Sequence, residues 1–280
     1  TTAAVGKLVE LVEQALTVCK FISANATSAL AEQLRVLAQD DHSVFILTPS
    51  VVALGDHANG LLGVAGVVDH SGDLAWVEEP SYWGIRHVLA MNDVRVNPIT
   101  VDANGLRPPE TVEEAPQLIF VTPSHQYPLG AVMSLERRQR LLALARQHGS
   151  WIVEDDYDSE FRFSGQPIPA LQGLVTDPPV IYIGTFSKTL YPALRLGYVV
   201  LPTALANTLK TAHAELYRGG HLLIQHALAE FIRQGDYTAH IRRMRLLYAR
   251  RRACLTALIL QFMGENALGD YNSNAGLHLI

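Results

Sequence analysis

Short apolar runs alternate along this chain with longer segments in which apolar residues recur every three or four positions. The apolar runs predict strands at Val44–Thr48, Leu74–Val77, Val94–Ile99, Leu118–Val121, Trp151–Glu154, Val180–Ile183 and Tyr198–Leu201. Because these runs are mostly apolar throughout instead of alternating, we expect parallel strands that are covered on both faces.

The segments between the strands carry a helical pattern. It predicts helices over about Ala53–Val67, Tyr82–Met91, Ser134–His148 and Thr203–Tyr217. From Leu222 to about Met263 the pattern is helical almost throughout, as one long helix or as two that break at Gly235-Asp236. This alternation predicts an α/β doubly wound sheet, in which ligands bind beyond the carboxyl ends of the strands.

Composition narrows the class of protein. The chain has 280 residues, of which 49% are apolar and 18% charged, so a sizeable core is expected. A net charge of −5 gives no support for nucleic-acid binding over the whole surface. No apolar run reaches the roughly 18–20 residues that span a bilayer, and no signal peptide is evident. With Cys19 and Cys254 expected as reduced thiols, we expect a cytoplasmic protein without membrane contact.

The segment Gly184–Leu190 places a lysine between hydroxyl residues directly after a predicted strand, and Arg195 follows shortly afterwards. An amine, two hydroxyls and a fixed cation at a strand end suit an aldehyde-bearing phosphate cofactor. Lys188 could form a Schiff base with the aldehyde, while Thr185, Ser187 and Arg195 hold the phosphate. Taken alone, the same segment is also compatible with an exposed loop lysine.

The stretch Trp151–Asp158 is a strand that ends in several acids. A carboxylate there could pair with a protonated pyridine nitrogen and keep the ring electron-withdrawing. Asp155 is the candidate, with Tyr157 donating its hydroxyl to the phenolic oxygen of the ring. A solvated acidic loop or a helix cap is the alternative interpretation.

Two further stretches follow predicted strands. Tyr82 could stack on a flat cofactor, with Trp83 as the second choice, although packing at a helix start is equally open. The loop Thr122–Gly130 contains two prolines and a glycine, which restrict its shape as expected of a loop that lines a site. His125 in this loop is expected to form structural hydrogen bonds rather than to catalyse.

Several large enzyme classes lack their signatures in this sequence. There is no GxSxG elbow, no Walker A loop, no GxGxxG and no metal-ligand spacing among the 11 histidines. These absences argue against serine hydrolases, P-loop nucleotide enzymes and standard dinucleotide oxidoreductases.

Four stretches of this chain resemble, in their order, the motifs of fold-type-I pyridoxal-phosphate enzymes of the class I aminotransferase group. They are Thr122–Gly130, Glu154–Arg162, Gly184–Leu190 and Leu194–Tyr198. They are most similar to the aminotransferase-like domain of MocR/GabR-type bacterial transcription regulators. The resemblance implies a mainly parallel seven-stranded sheet sandwiched by helices, with an incomplete C-terminal small domain. It also implies three parts: a helical segment at 1–40, a cofactor-binding large domain at 41–222, and a long helix and truncated small domain at 223–280.

The resemblance implies pyridoxal 5'-phosphate as the cofactor. The residues that it assigns to the cofactor are Lys188, Asp155, Tyr157, Tyr82, Thr185, Ser187, Arg195 and Ser50. Lys188 would form the Schiff base, Asp155 would bind the pyridine nitrogen and Tyr157 the phenolic oxygen, and Tyr82 would stack on the ring. In such regulators the cofactor and an amino compound act as effectors that reshape a dimer on DNA.

Four features depart from the family pattern. Residues 1–40 contain no recognisable winged helix-turn-helix, so no specific DNA binding is expected of this chain alone. Thr48–Leu54 replaces a Gly-Ser/Thr-Gln phosphate-binding start, and its proline removes a backbone N–H, so phosphate binding is expected to weaken. Tyr127 replaces the asparagine of catalytic aminotransferases, which is typical of the regulator branch. The chain ends before the small domain that supplies an arginine for the substrate carboxylate.

Three functions therefore stay open at this stage. The first is an effector-sensing domain of a MocR-type regulator, which binds a small amine or amino acid and forms a homodimer. The second is a working aminotransferase, in which Lys188 also acts as the acid and base of the proton shift between an amino acid and a 2-oxo acid. The third is a degenerate fragment that keeps the fold without binding a cofactor.

Overall fold

The structure is a computed structural model that describes residues 43–47, 72–166, 168–217, 222–269 and 275–279. The predicted helix Ala53–Val67, the predicted helical segment 1–40 and Ser50 lie outside the described residues.

Eight strands are described, and all seven strands expected from the sequence are among them. The strands are β1 (Ser43–Leu47), β2 (Leu74–Glu79), β3 (Arg95–Asp102), β4 (Gly105–Leu106), β5 (Leu118–Val121), β6 (Trp151–Asp156), β7 (Val180–Thr185) and β8 (Gly197–Leu201). The α-helices are α1 (Trp83–Met91), α2 (Leu135–His148), α3 (Thr203–Tyr217), α4 (Leu222–Arg233) and α5 (Asp236–Met263). Short 3₁₀-helices lie at Leu171–Gly173, Pro192–Leu194 and Glu265–Ala267.

The strands form one mixed sheet in the order β1-β8-β7-β6-β5-β2-β3-β4. The pairs from β7 through β6, β5 and β2 to β3 are parallel, which confirms the mainly parallel α/β prediction. At one edge, β8 pairs antiparallel with both β7 and β1. The connection at residues 186–196 contains a 3₁₀ turn but no α-helix, and a connection this short favours an antiparallel return.

Helices cover both faces of this sheet. On one face, Ile85, Val88 and Leu89 of α1 pack against the buried side chains of β2, β5, β6 and β7, together with α3. On the opposite face, α2 covers the middle strands, while α4 and α5 contribute to a cluster around β7 and β8. Successive side chains of a strand point to opposite faces of the sheet, so each buried strand contributes apolar residues to the clusters on both faces. This is why the strand sequences are apolar throughout.

Local signals in the sequence fix the helix ends. The Ser134 hydroxyl accepts a hydrogen bond from the Arg137 backbone N–H at 3.3 Å, which caps the start of α2. The expected break at Gly235 is present, because this glycine adopts φ +82° and separates α4 from α5. Within the described residues, no helix combines the length and apolar character that a bilayer crossing requires.

Candidate functional site

A cavity of about 270 Å³ opens where four neighbouring parallel strands end. Tyr82 follows β2, Thr122 follows β5, Asp155 lies near the end of β6, and Lys188 follows β7. Since the carboxyl ends of parallel strands meet at one edge of the sheet, distant sequence positions converge here.

Most residues that the sequence nominated for a cofactor line this cavity. They are Tyr82, Asp155, Tyr157, Ser187, Lys188 and Arg195. Thr185 is buried but is not among the lining residues; its hydroxyl accepts from the Ser187 backbone N–H at 3.1 Å. The structure therefore gives Thr185 a role in orienting Ser187. Trp83 is half exposed and does not line the cavity, so Tyr82 is the better candidate for the aromatic ring that stacks on the cofactor.

Alternation along β6 separates its acids. Val153 and Asp155 point to one face of the sheet, while Glu154 and Asp156 point to the other. Asp155 is almost completely buried. Burial raises its pKa well above the usual range, and the negative charges of Asp156 and Asp158 add to the effect. A cation placed in the cavity would therefore stabilise the Asp155 carboxylate.

Ser187 and Arg195 present donors to the same cavity. The Ser187 hydroxyl is buried and makes no hydrogen bond to any residue that the structure describes. Arg195 is half-buried and adopts φ +53° at the end of the 3₁₀ turn Pro192–Leu194. Such a conformation costs on the order of 1 kcal/mol or more in a non-glycine residue and clusters at functional sites. A buried hydroxyl and a guanidinium that line the same cavity are suited to binding a phosphate.

The Tyr82 ring lies against Gly84 and Tyr127. It lies so close to Gly84 that a Cβ at Gly84 would sit 2.4 Å from the tyrosine Cε1 atom, so a larger residue at this point of α1 would displace the ring. The ring also packs edge-on against Tyr127 at a centroid distance of 6.0 Å. Two aromatic rings therefore form an apolar wall on which a flat ligand could stack.

A hydrogen-bonded chain lies beside this wall. The Tyr157 hydroxyl donates to the His125 carbonyl at 2.8 Å and lies 3.1 Å from Nδ1 of the His125 ring. The same Nδ1 atom lies 3.1 Å from Oδ2 of the buried Asp158. Burial raises the pKa of Tyr157, and the surrounding acids add to this, so the phenol stays protonated. His125 is thus a structural hydrogen-bonding side chain that fixes Tyr157.

His278 is a cavity residue that the sequence reasoning missed. It arrives from the far end of the chain, where a single histidine near a glycine carries no recognisable signal. The backbone here is pinned by an antiparallel bridge between Ala275 and Arg162 and by a 2.7 Å hydrogen bond from Gly276 N–H to the Phe161 carbonyl. The Leu277 N–H donates to Asp158 Oδ2 at 2.8 Å.

A buried acid supports the wall of the cavity at Thr122. Glu78 Oε2 accepts from the Thr122 hydroxyl at 2.7 Å, from the Thr122 N–H at 3.2 Å and from Gln126 Nε2 at 3.2 Å. Burial nonetheless raises the pKa of Glu78 to about 7. The sequence analysis gave Glu78 no role, because its burial is not visible in the sequence.

The fold and the cavity place this chain among the aminotransferase-like α/β proteins. The chain belongs to the aminotransferase class I and II family, whose sequence profile matches residues 13–269. This confirms the resemblance drawn from its motifs.

Curated relatives include bacterial regulators. The probable rhizopine catabolism regulatory protein MocR of Rhizobium meliloti is 40% identical over 253 residues, which cover 90% of this chain and 50% of the relative. The pyridoxine biosynthesis transcriptional regulator PdxR of Corynebacterium glutamicum is 33% identical over 210 residues, with 73% and 44% covered. The chain thus spans about half the length of these relatives.

A solved structure agrees with the fold. LysN, the α-aminoadipate aminotransferase of Thermus thermophilus, superposes with a TM-score of 0.76 at 25% identity. The match covers 98% of this chain and 70% of LysN, which was crystallised with N-(5'-phosphopyridoxyl)-L-leucine.

Proposed function

We propose that this chain is the pyridoxal-phosphate-binding, effector-sensing domain of a MocR-type transcriptional regulator. One observation carries the proposal: an amine, a buried carboxylate, a phenol, an aromatic wall and phosphate-type donors meet in one cavity. The regulator assignment is supported by the curated relatives, which include MocR and PdxR.

The residues present fit the cofactor. The Ser187 hydroxyl, which makes no hydrogen bond within the described part of the chain, and the Arg195 guanidinium suit the phosphate. Asp155 is a buried acid whose carboxylate would be stabilised by the protonated pyridine nitrogen. Tyr82 offers the flat apolar surface, and Lys188 Nζ is the covalent anchor for the aldehyde.

When bound, pyridoxal phosphate supplies an electrophilic carbon and an electron-withdrawing ring. The side chains around the cofactor would set its protonation state and its orientation. Asp155 would keep the proton on the ring nitrogen. The Tyr157 hydroxyl, which donates to the His125 carbonyl in this structure, would have to turn from that carbonyl to donate to the phenolic oxygen. Lys188 Nζ would hold the aldehyde and, as an amine, could also accept or give up a proton at that place in the cavity. An amine or amino acid is therefore the expected effector class.

An aminotransferase that turns over is the second candidate. It is favoured by the same cavity, in which Lys188 lies with most of the side chains expected to bind the cofactor, and by the similarity to LysN. The features that favour sensing are Tyr127 in the cavity wall and the regulator relatives. Homodimer formation and a cytoplasmic location remain predictions that belong to the regulator proposal.

The visible absorption spectrum after addition of pyridoxal phosphate tests cofactor binding. We expect the wild-type chain to develop the band of the lysine-bound cofactor and Lys188→Ala to lose it. Lys210→Ala, which removes an exposed lysine of α3, is the matched control and should keep the band. Borohydride reduction followed by peptide mapping should place the label on Lys188. A wild-type chain without the band would support the degenerate alternative.

Turnover separates the two cofactor-binding candidates. The loaded chain is mixed with a panel of amino acids and 2-oxo acids, and product is followed over many enzyme equivalents. A sensing domain should shift the cofactor band on adding an amine and release product at no more than one equivalent. Sustained conversion would instead establish the aminotransferase.

A further inference from the structure

Three side chains that can bind a metal ion meet at the wall of the cavity. His125 lies in the loop after β5, Asp158 follows β6, and His278 belongs to the segment 275–279. Each offers one nitrogen or oxygen atom, and these atoms lie within 4.8 Å of one another. The three residues are far apart along the chain, so the spacing of the histidines in the sequence gives no sign of this cluster.

The distances between these atoms suit a transition-metal ion. His125 Nδ1 lies 3.1 Å from Asp158 Oδ2, and His278 Nδ1 lies 3.9 Å from the same carboxylate oxygen. Zinc bonds of about 2.0–2.2 Å in a tetrahedral site place the ligand atoms roughly 3.4 Å apart. A small rotation of the His278 ring, whose side chain retains 29% of its exposure, would bring its nitrogen into range.

The Asp158 carboxylate gives an independent sign of a ligand. Its side chain is only 1% exposed, and Oδ1 makes no hydrogen bond to any residue that the structure describes. The other oxygen, Oδ2, accepts from the Leu277 N–H at 2.8 Å and lies beside His125. Buried carboxylate oxygens normally accept hydrogen bonds or bind a metal, so Oδ1 is suited to a metal bond.

The charge of Asp158 is balanced by histidines. Across the described ranges, its ion pairs are with His125 and His278, and none is with a lysine or an arginine. The negative charge of Asp158 also acts on the buried Asp155 and Asp156 nearby. A buried charge is stable when it is paired or bound to a metal, and a divalent cation here would offset the charge of several acids.

The segment that carries His278 is already held in place. The Arg252 guanidinium of α5 donates to the His278 carbonyl at 3.3 Å, and Leu277 is tied to Asp158 through its N–H. The His278 ring packs edge-on against the His125 ring at a centroid distance of 5.0 Å. The two imidazoles therefore lie beside each other before any ion binds.

We propose that His125, Asp158 and His278 bind a divalent transition-metal ion of the zinc type. Two imidazoles and one carboxylate suit Zn²⁺, Co²⁺ or Ni²⁺, whereas Mg²⁺ and Ca²⁺ prefer oxygen ligands. The ion takes the place of the proton between His125 Nδ1 and Asp158 Oδ2, and this proton passes to the solvent. The fourth position is left to water or to an oxygen atom of a molecule in the cavity, which His278 lines.

Cobalt and zinc test this site in the cofactor-free chain. We expect one equivalent of Co²⁺ to give the visible absorption of a four-coordinate ion, and Zn²⁺ to displace it. Competition with a chelator of known affinity gives the Kd for Zn²⁺. His278→Gln and Asp158→Asn should each raise this Kd at least about a hundredfold, because a ligand is lost. His87→Gln removes an exposed histidine of α1 and is the matched control, which should behave as wild type.

Hydrogen exchange gives a second measurement. Since the ion would join the segment 275–279 to the loop after β5, Zn²⁺ should slow the exchange of the Leu277 amide in wild type and not in His278→Gln. Urea unfolding checks that the variants fold. If Asp158→Asn does not fold, His278→Gln decides the test by itself.

Three results would overturn the site. They are a wild-type chain without the Co²⁺ absorption, an equal Kd for Zn²⁺ in wild type and His278→Gln, and a loss in His87→Gln as large as that in His278→Gln. The last result would assign the ion to surface histidines. Because the chain is tested without pyridoxal phosphate, this site and the cofactor band of Lys188 can fail separately.

Discussion

Ser187 and Ser150 are both buried hydroxyls, but their surroundings differ. The Ser150 hydroxyl donates to the Pro116 carbonyl at 2.6 Å, whereas the Ser187 hydroxyl has no hydrogen-bond partner among the described residues. A buried polar atom that lacks a partner costs about 1–3 kcal/mol. Such an unpaired hydroxyl is expected at a ligand site, because the bound ligand can supply the missing hydrogen bond.

Ser187→Ala should therefore stabilise the cofactor-free chain by about 1 kcal/mol, because it removes an unsatisfied buried group. It should also weaken pyridoxal phosphate binding about tenfold, since a hydrogen bond to a charged group is lost. Urea unfolding and titration of the cofactor band measure the two effects. Ser150→Ala is the control and should destabilise by about 1 kcal/mol. Destabilisation by Ser187→Ala as well would show that the hydroxyl has a structural partner.

At the scale of the elements, α2 supports the loop that borders the cavity. Arg138 of α2 is fully buried and donates to the carbonyls of Met133, Pro169 and Pro123 at 3.1, 3.0 and 2.8 Å. Its guanidinium also lies 3.6 Å from Glu154 of β6. One side chain thus links a helix, a strand and two loops.

Arg138→Met should destabilise the chain by about 3–5 kcal/mol, because the carbonyls lose their donor and Glu154 loses its counter-charge in a buried setting. The free energy of unfolding in urea is the measurement. Arg140→Met, two positions along on the exposed side of α2, should change it by less than about 0.5 kcal/mol. Similar costs for both variants would contradict the role assigned to Arg138.

The segment 275–279 depends on a glycine. Gly276 adopts φ +73°, and a Cβ there would lie 1.8 Å from Nδ1 of His125. We expect Gly276→Ala to displace the segment from the cavity, so that the Leu277 amide exchanges faster with solvent. Gly264→Ala also places alanine at a positive φ, but in open space, and it isolates backbone strain from the clash. Unchanged protection of Leu277 in Gly276→Ala would refute this packing.

These elements also show what sequence patterns can predict. Apolar runs predict the strands, and a glycine in a helical pattern predicts the break at Gly235. The geometry of parallel sheets predicts that Asp155 and Lys188 lie at the same edge of the sheet, where the cavity is. The antiparallel return of β8 and the two-residue β4 do not, since each depends on a connection too short to leave a periodic signal. His278, Glu78 and Arg138 were missed because their importance comes from contacts between segments that are distant along the chain.

At the scale of the whole molecule, buried and half-buried acids collect around the ends of β2 and β6. Burial is the main cause that raises the pKa of Glu78 and Glu154 to about 7 and of Glu160 to about 8, and it also raises the pKa of Asp155 and Asp156. Raised values mean that the folded state binds more protons than the unfolded state at intermediate pH. The free energy of unfolding should therefore fall as pH rises through this range.

Glu78→Gln isolates one contribution to this profile. The Glu78 pKa is about 7 when folded and 4.5 otherwise, so its ionisation opposes folding increasingly between these values. Glutamine cannot ionise, so the variant should gain up to about 3 kcal/mol relative to wild type between about pH 5 and about pH 8. Urea unfolding across this range gives the difference, and the exposed Glu113→Gln should run parallel to wild type. If Glu78→Gln also runs parallel, Glu78 is ionised in the folded chain at every pH tested. The Thr122–Gln126 loop would then be held by a carboxylate rather than by a carboxylic acid.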